Sequence, residues 1–204
     1  ALAWAPLHVA RRVLASASKD GTIKLWRSGG KVLDSLSGHT DSVEALAWGG
    51  DGTLYSGSRD RTIKLWRFVA GERVTLRRTL SGHAHRVNAL ALSSAYVCRT
   101  GPFEVVPKDE PGDPEARARR RFEAHLASSG EERLASCSDD ATIYFWPTNQ
   151  RLCGHQQAIN AIQFSPDGRK LASASFDKKV KLWHGHTGAF LATFSGHVAA
   201  VYAL

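Results

Sequence analysis

The sequence predicts an all-β protein, an incomplete β-propeller in which similar four-stranded sheets, the blades, stand side by side around an axis. One phrase that ends in tryptophan occurs four times: ASKDGTIKLW (17–26), GSRDRTIKLW (57–66), CSDDATIYFW (137–146) and ASFDKKVKLW (174–183). A Gly-His pair recurs beside it, in SGHTDSV from Ser37, SGHAHRV from Ser81, CGHQQAI from Cys153 and SGHVAAV from Ser195. Recurrence of both markers about every 40 residues is typical of propeller blades.

The second repeat predicts the strands of one blade most clearly. Its strands are rich in residues that pack well on a pleated surface, and Asp-Gly suits the tight turn between the first two. We predict strands at SVEALAW (42–48), TLYSGS (53–58), TIKLW (62–66) and VTLRRTL (74–80), with a turn at GGDG (49–52).

Both faces of each sheet are expected to be apolar. Side chains alternate along a strand, so in TIKLW Lys64 and Trp66 lie on one face. Ile63 and Leu65 lie on the other face. A sheet with two apolar faces must be packed between two neighbours, as in a propeller.

The two markers divide the chain into repeats. We predict a partial repeat over 1–37, repeats over 38–81, 82–153 and 154–195, and the start of a further repeat over 196–204. The third contains an insertion, 93–131, and its TNQRLCGH (148–155) is short for a fourth strand with its loops. Because both ends cut through repeats and the chain has no methionine, we expect a piece of a longer protein. A ring cut open in this way exposes apolar faces and is not expected to fold alone.

Composition restricts the partners. The net charge of +8 and a pI near 9.7 favour polyanionic partners such as RNA, although many basic proteins bind none. No apolar run approaches the roughly 18 residues that cross a membrane, so no membrane partner is expected. Cys98, Cys137 and Cys153 are odd in number and lack CxxC spacing, which predicts small buried thiols in a reducing compartment.

The repeated text resembles that of the WD40-repeat proteins. In that family the histidine of Gly-His, a serine or threonine of the second strand, the aspartate of the next turn and the tryptophan form a hydrogen-bonded tetrad. The resemblance implies tetrads at His39, Ser56, Asp60 and Trp66, at His83, Asp140 and Trp146, at His155, Ser173, Asp177 and Trp183, and in part at Asp20 and Trp26. One departure is that the residue after each tryptophan is never aspartate; it is Arg27, Arg67, Pro147 or His184.

We predict a binding protein and no enzyme, with no cofactor, no metal and no small-molecule substrate. Serine, histidine and aspartate also form hydrolase triads, but a triad does not recur in every repeat beside a tryptophan. No G-x-S-x-G, P-loop or dinucleotide motif is present. His184 and His186 in WHGHTG (183–188) could chelate a metal, yet no cysteine or carboxylate is near in sequence, which favours surface histidines.

The insertion contains a predicted helix. Asp113, Pro114 and Glu115 suit its first positions, and SSG (128–130) its end. Ala118, Phe122 and Leu126 form one apolar stripe, with Arg117, Arg120 and Arg121 largely away from it. Two interpretations stay open: a solvated helix that docks its stripe on the propeller, or an arm that presents Arg117, Arg119, Arg120 and Arg121 to phosphate.

The insertion narrows the resemblance to the Notchless family of WD40-repeat ribosome assembly factors. The similar text is AWGGDGTLYSGSRDRTIKLW (47–66), ALSSAYVCRTGPFE (91–104) and GHQQAINAIQFSPDGRKLASASFDKKVKLW (154–183). The resemblance implies an eight-bladed propeller, of which this chain holds about four blades, and an N-terminal ubiquitin-like domain outside this sequence. It further implies docking on pre-60S particles, both proteins and rRNA, in the nucleolus and nucleus. The ubiquitin-like domain would couple the particle to a midasin-type AAA ATPase.

The expected mechanism is scaffolding by a rigid basic surface. Candidate partner or RNA contacts are Lys19, Arg59 and Lys178 beside the turn aspartates, together with Arg117, Arg119, Arg120 and Arg121. The alternative is a WD40 adaptor that binds peptides across the central channel, in signalling such as the Notch pathway or in ubiquitin ligation.

Overall fold

The computed structural model describes residues 1–10, 13–98, 113–146 and 148–204, which form sixteen β-strands and two α-helices. The first sheet contains β1 (Leu2–Trp4), β2 (Val13–Ala17), β3 (Ile23–Arg27) and β4 (Lys31–Leu36). The second contains β5 (Val43–Trp48), β6 (Thr53–Ser58), β7 (Thr62–Arg67) and β8 (Thr75–Ser81). The third contains β9 (Val87–Leu92), β10 (Leu134–Ser138), β11 (Thr142–Trp146) and β12 (Gln150–Cys153). The fourth contains β13 (Ile159–Phe164), β14 (Lys170–Ser175), β15 (Lys179–His184) and β16 (Phe190–Ser195).

Each sheet is an antiparallel meander in chain order, which confirms the predicted all-β, propeller-like class. The first strands of successive sheets lie next to one another, β1 by β5, β5 by β9 and β9 by β13. The sheets therefore stand side by side in an open arrangement. The helices α1 (Ala95–Cys98) and α2 (Pro114–Ser129) lie between β9 and β10.

Three apolar cores lie between the four sheets. Trp66 packs with Leu25 of the first sheet, whereas Ile63 packs with Val87 of the third. The two faces of β7 are thus both buried, as the alternation in TIKLW predicts. Between the third and fourth sheets, Ile143 packs with residues that include Ile159, Leu171 and Trp183. Burying each large side chain of this kind contributes about 1.5–3 kcal/mol.

The outward faces of the first and last sheets carry exposed apolar side chains. Leu2 and Trp4 are 71% and 67% exposed on the first sheet. Phe190 and Phe194 are 54% and 55% exposed on the last. No helix among the described residues has the length and apolar character of a membrane span.

The structure differs from the sequence predictions at several places. Residues 1–37 form a sheet with all four strands, although β1 has only three residues, and β12 is a four-residue strand paired to β11. In 196–204 no residue is in a strand. Cys137 is buried as predicted, but the prediction is wrong for Cys153, which is exposed at the end of the short β12. The RTGPFE text and Pro147 lie outside the described residues.

Candidate functional site

The second sheet holds a hydrogen-bonded row that begins in the connection from the first sheet. His39 follows β4, and its Nδ1 lies 2.7 Å from Asp60 Oδ2, while its Nε2 lies 2.8 Å from Ser56 Oγ. Trp66 Nε1 donates to the same Ser56 Oγ at 2.9 Å. Because a carboxylate can only accept, Nδ1 carries the proton, and the Ser56 hydroxyl donates to Nε2. Each polar group of the row is therefore satisfied.

The third and fourth sheets repeat this geometry. His83 contacts Asp140 at 3.0 Å and Ser136 at 2.8 Å, and Trp146 donates to Ser136 at 3.0 Å. In the fourth sheet the members are His155, Ser173, Asp177 and Trp183, with corresponding distances of 2.8, 2.9 and 2.9 Å. No serine was predicted for the third set. The signal was present, since Ser136 in LASCS stands where Ser173 stands in LASAS.

The first sheet has the tryptophan, serine and aspartate of a tetrad but not its histidine. Trp26 Nε1 donates to Ser16 Oγ at 2.7 Å, and Asp20 Oδ1 accepts from the backbone N–H and the hydroxyl of Thr22. Among the described residues no histidine bonds to Ser16 or Asp20. Ser16 is the second serine that the sequence analysis missed.

Burial and hydrogen bonding set the protonation of the tetrads. Burial lowers the pKa of His39 and of His155, so both imidazoles stay neutral at pH 7. Burial alone would raise the pKa of Asp60 and Asp177, but hydrogen bonds from histidine, hydroxyl and backbone donors lower it on balance. These two tetrads therefore hold neutral histidine against ionised aspartate.

The tetrad serines have no access to a substrate. Ser56, Ser136 and Ser173 are each 0% exposed, and each is covered by its tryptophan and histidine. A nucleophile must reach the atom that it attacks. The geometry attaches the connection between two sheets to the second of them.

The turns that contain the tetrad aspartates lie at one end of the sheets, which we call the aspartate-turn face. Lys19, Arg59 and Lys178 are all exposed there. The charge of Arg59 is partly compensated, because its Nε lies 3.7 Å from Glu44 Oε1. In the third sheet the equivalent position holds an acid, Asp139.

The insertion docks at the other end of the sheets, which we call the insertion face. The helix α2 begins after Asp113, whose side chain accepts from the Glu115 N–H, and it ends at Gly130. Phe122 stacks on His8 at 5.3 Å between ring centroids. It also covers Gly50, where an added Cβ would lie 2.2 Å from the ring. The stripe therefore packs on the first two sheets, as in the docking interpretation.

The structure separates the four insertion arginines. Arg119 and Arg120 are exposed, whereas Arg117 and Arg121 are half-buried beside the stripe. The strands alternate in direction, so the β2–β3 and β6–β7 turns lie at the end opposite to the β5–β6 and β9–β10 connections. Arg119 and Arg120 thus lie on the face opposite to Lys19, Arg59 and Lys178.

Two residues that were not predicted from the sequence, Glu132 and Arg133, bind the end of the insertion to the sheets. Glu132 accepts from the Gly50 N–H at 3.1 Å and from the Ser94 hydroxyl, and burial raises its pKa to about 7. The Arg133 guanidinium donates to Gly168 O at 3.3 Å and contacts His186. No short sequence motif predicts these contacts, because Glu132 and Gly50 are 82 residues apart.

The remaining candidate features are a histidine pair and a cavity at the axis. His184 Nδ1 accepts backbone N–H groups of its own loop, and His186 contacts Arg133. The described residues contain no group of three His, Cys, Asp or Glu side chains placed to hold a metal. A cavity of about 770 Å³ lies along the first strands of the sheets, with Leu46, Leu90 and Ile162 in its lining.

The fold and its tetrads define a WD40-repeat protein. The family model described as "WD domain, G-beta repeat" matches residues 2–27, 30–67 and 148–184. Within this class the chain belongs to the Notchless family. It is 45% identical to "Protein Notchless" of Drosophila melanogaster over 81% of this chain and 36% of that protein.

Two further relatives extend the similarity to nearly the whole chain. "Ribosome assembly protein 4" of Saccharomyces cerevisiae (strain ATCC 204508 / S288c) is 42% identical over 93% of this chain and 39% of that protein. "Notchless protein homolog" of Arabidopsis thaliana is 43% identical over 95% of this chain and 42% of that protein. The chain therefore spans about two fifths of the length of these relatives.

Proposed function

We propose that the chain is part of a non-catalytic scaffold in biogenesis of the large (60S) ribosomal subunit, and that it docks on pre-60S particles. The similarity to ribosome assembly protein 4 over 93% of this chain carries the proposal. Coupling to a midasin-type AAA ATPase through a domain outside this sequence, and a nucleolar and nuclear location, complete it. These finer parts rest on the family resemblance.

The physical properties of the described residues support a scaffold. Tetrads hold the connections between neighbouring sheets in place, which favours a surface of fixed shape. The net charge of +8 favours contact with the phosphates of rRNA. Arg119 and Arg120 are the insertion arginines free to approach a partner without disturbing the apolar stripe, because both are exposed.

Gradient sedimentation tests the assembly role. The tagged protein is followed in a sucrose gradient of cell extract, and rRNA precursors are measured after its depletion. Co-migration with pre-60S particles and accumulation of large-subunit precursors are expected. A small free species with normal precursors would contradict the proposal.

Charge reversal tests the RNA contact. Arg119→Glu with Arg120→Glu is expected to weaken particle binding and to reduce the slope of log affinity against log salt by roughly 2. Arg77→Glu with Arg78→Glu on β8 is the matched control, since both of these arginines are also exposed. Equal effects of the two pairs would leave no special role for α2.

The peptide adaptor is the second candidate. The cavity along the first strands favours it, because its lining presents apolar and polar surface in about equal amounts, which suits the side chains and the backbone of an extended peptide. An adaptor is expected to bind a short peptide with little salt dependence and to sediment apart from pre-60S particles. Leu90→Glu in the cavity lining would abolish peptide binding, whereas the Arg119 and Arg120 reversal would not.

A further inference from the structure

The connection that follows the tryptophan of a sheet can cover part of the junction with the preceding sheet. In the β7–β8 connection Val74 is buried, and its N–H donates to Asp34 Oδ2 of β4 at 3.0 Å. The β15–β16 connection lies equally close to the third sheet, since an added Cβ on Gly188 would be 2.8 Å from Leu152 Cδ2 of β12. Both connections therefore pack on the last strand of the neighbouring sheet.

The junction between the second and third sheets has no such cover among the described residues. Its β11–β12 connection comprises residues 147–149, of which Thr148 and Asn149 are polar and exposed. A cavity of about 190 Å³, which we call the junction cavity, remains there. Its apolar lining consists of Tyr55, Leu65 and Leu80 of the second sheet and of Leu134 and Trp146 of the third. Because an apolar cavity of roughly 150 Å³ can hold benzene, the junction cavity has room for a long side chain.

A carboxylate without a counter-charge also lines the junction cavity. Glu132 Oε1 accepts from the Gly50 N–H at 3.1 Å and from the Ser94 hydroxyl, whereas Oε2 accepts from no donor in the described ranges. No cation of the described residues forms an ion pair with Glu132. Burial raises its pKa to about 7, because the ionised form is poorly solvated there. A cation beside Oε2 would supply the missing partner.

The rest of the lining suits a cation on an aliphatic stem. Leucine side chains offer apolar surface to methylene groups, and aromatic rings attract cations to their faces. The charges of Glu132 and Asp51 add to burial in raising the pKa of Tyr55, so the surroundings of its hydroxyl are electronegative. Arg78 also lines the cavity, but it is exposed, so solvent screens its charge.

We propose that the junction cavity binds a lysine side chain of a partner protein, whose ammonium group donates to Glu132 Oε2. An apolar side chain would fill the same volume but leave the carboxylate unpaired. Arginine binds carboxylates best through both oxygens, and Oε1 already accepts from two donors. A single free oxygen therefore favours the compact ammonium group. The site is additional to the proposed function and does not depend on it.

Binding of a lysine analogue to the full-length protein that contains this chain tests the proposal. The probe is Nα-acetyl-lysine N-methylamide, titrated to millimolar concentration by saturation-transfer NMR. It is expected to bind roughly tenfold more tightly than the uncharged norleucine analogue, since a charge-assisted hydrogen bond is gained. Failure of the lysine probe to bind would overturn the proposal. Binding of the norleucine or arginine analogue as tightly as the lysine probe would also overturn it.

A substitution at the carboxylate locates the site. Glu132→Gln keeps the shape of the side chain and is expected to weaken binding of the lysine probe by roughly tenfold at pH 8. Binding of the norleucine analogue should be unchanged, which shows that the cavity has kept its form. The matched control is Glu131→Gln at the exposed neighbouring position, which should bind the lysine probe as the wild type does. Equal binding by the wild type and Glu132→Gln would overturn the proposal.

The pH dependence of binding separates this contact from a structural role of Glu132. Lysine stays charged between pH 6 and 8, whereas Glu132 must lose its proton to pair with it, so affinity should rise roughly tenfold over this range. The other titratable groups near Glu132 are Asp51, Tyr55 and Cys98. Burial raises the pKa of Tyr55 and that of Cys98, the latter to about 11, so both stay protonated. Affinity should be independent of pH in Glu132→Gln, and the same independence in the wild type would contradict the contact.

Discussion

His39 Nδ1 and Asp60 Oδ2 lie 2.7 Å apart, although His39 follows the last strand of the first sheet and Asp60 belongs to the second. The contact therefore fixes the connection between the first two sheets to the second sheet. Burial of the imidazole keeps it neutral and makes its hydrogen bonds matter, because an unpaired buried polar group is costly.

His39→Ala is expected to destabilise the protein by about 2–4 kcal/mol, since it leaves Ser56 and Asp60 without their partner and opens a cavity. Urea unfolding measures the loss. With Asp60→Ala the double mutant should fall short of additivity by roughly 0.5–3 kcal/mol, as for residues in one network. His85→Ala should change stability little, and strict additivity of the tetrad pair would contradict the coupling.

Ala141→Gly is expected to stabilise the protein by about 0.5–1 kcal/mol. Ala141 has a φ of 61°, a left-handed conformation that costs alanine more than glycine, and the first sheet has Gly21 at this position with φ 80°. The same exchange at Ala172 within β14 should destabilise by a similar amount. Thermal unfolding of both variants measures these changes. A loss of stability in Ala141→Gly would contradict the prediction.

Glu132→Gln is expected to gain stability over the wild type as pH rises from 5 to 8. The pKa of Glu132 is raised to about 7, so the folded protein favours the neutral acid, and this contribution is present below pH 4.5 and lost as pH rises through 7. A glutamine cannot ionise, and the difference should reach up to about 3 kcal/mol at pH 8. The neighbouring Glu131→Gln, at an exposed position, is the matched control for the substitution itself.

Gly50→Ala is expected to loosen α2, because its Cβ would lie 2.2 Å from the ring of Phe122. Proteolysis within α2 should accelerate, and overpacking should cost about 1–3 kcal/mol. In the presence of Phe122→Ala, which makes room, the same exchange should have a much smaller effect. If Gly50→Ala costs as much in that background as in the wild type, the docking contact is not its cause.

The local elements were predictable from the sequence because their determinants are close in the chain. TIKLW and the phrase around it contain the strand, the turn aspartate and the tryptophan together, so β7 and its two buried faces followed directly. Ser136 was equally local and could have been found by comparing LASCS with LASAS. The N-cap at Asp113 was likewise readable from three adjacent residues.

The docking of the insertion was not predictable in the same way. Gly50 is a turn glycine in the sequence, and only the structure shows that Phe122 covers it and that Glu132 accepts its N–H. Periodicity identified the stripe of α2 but could not say on which sheets it packs. The half-buried state of Arg117 and Arg121 follows from that packing, so it could not be predicted from the sequence either.

The third tetrad differs from the others in the length of chain that separates its members. His39 and Asp60 are 21 residues apart and His155 and Asp177 are 22, but His83 and Asp140 are 57 apart because the insertion intervenes. During synthesis at about 5–20 residues per second, the additional 36 residues (57 − 21) take about 2–7 s to emerge. For that interval the nascent second sheet exposes Leu80, which later faces Leu134 and Trp146 of the third sheet. The insertion thus imposes a pause in the stepwise growth of the propeller, at the stage when a chaperone would have apolar surface to hold.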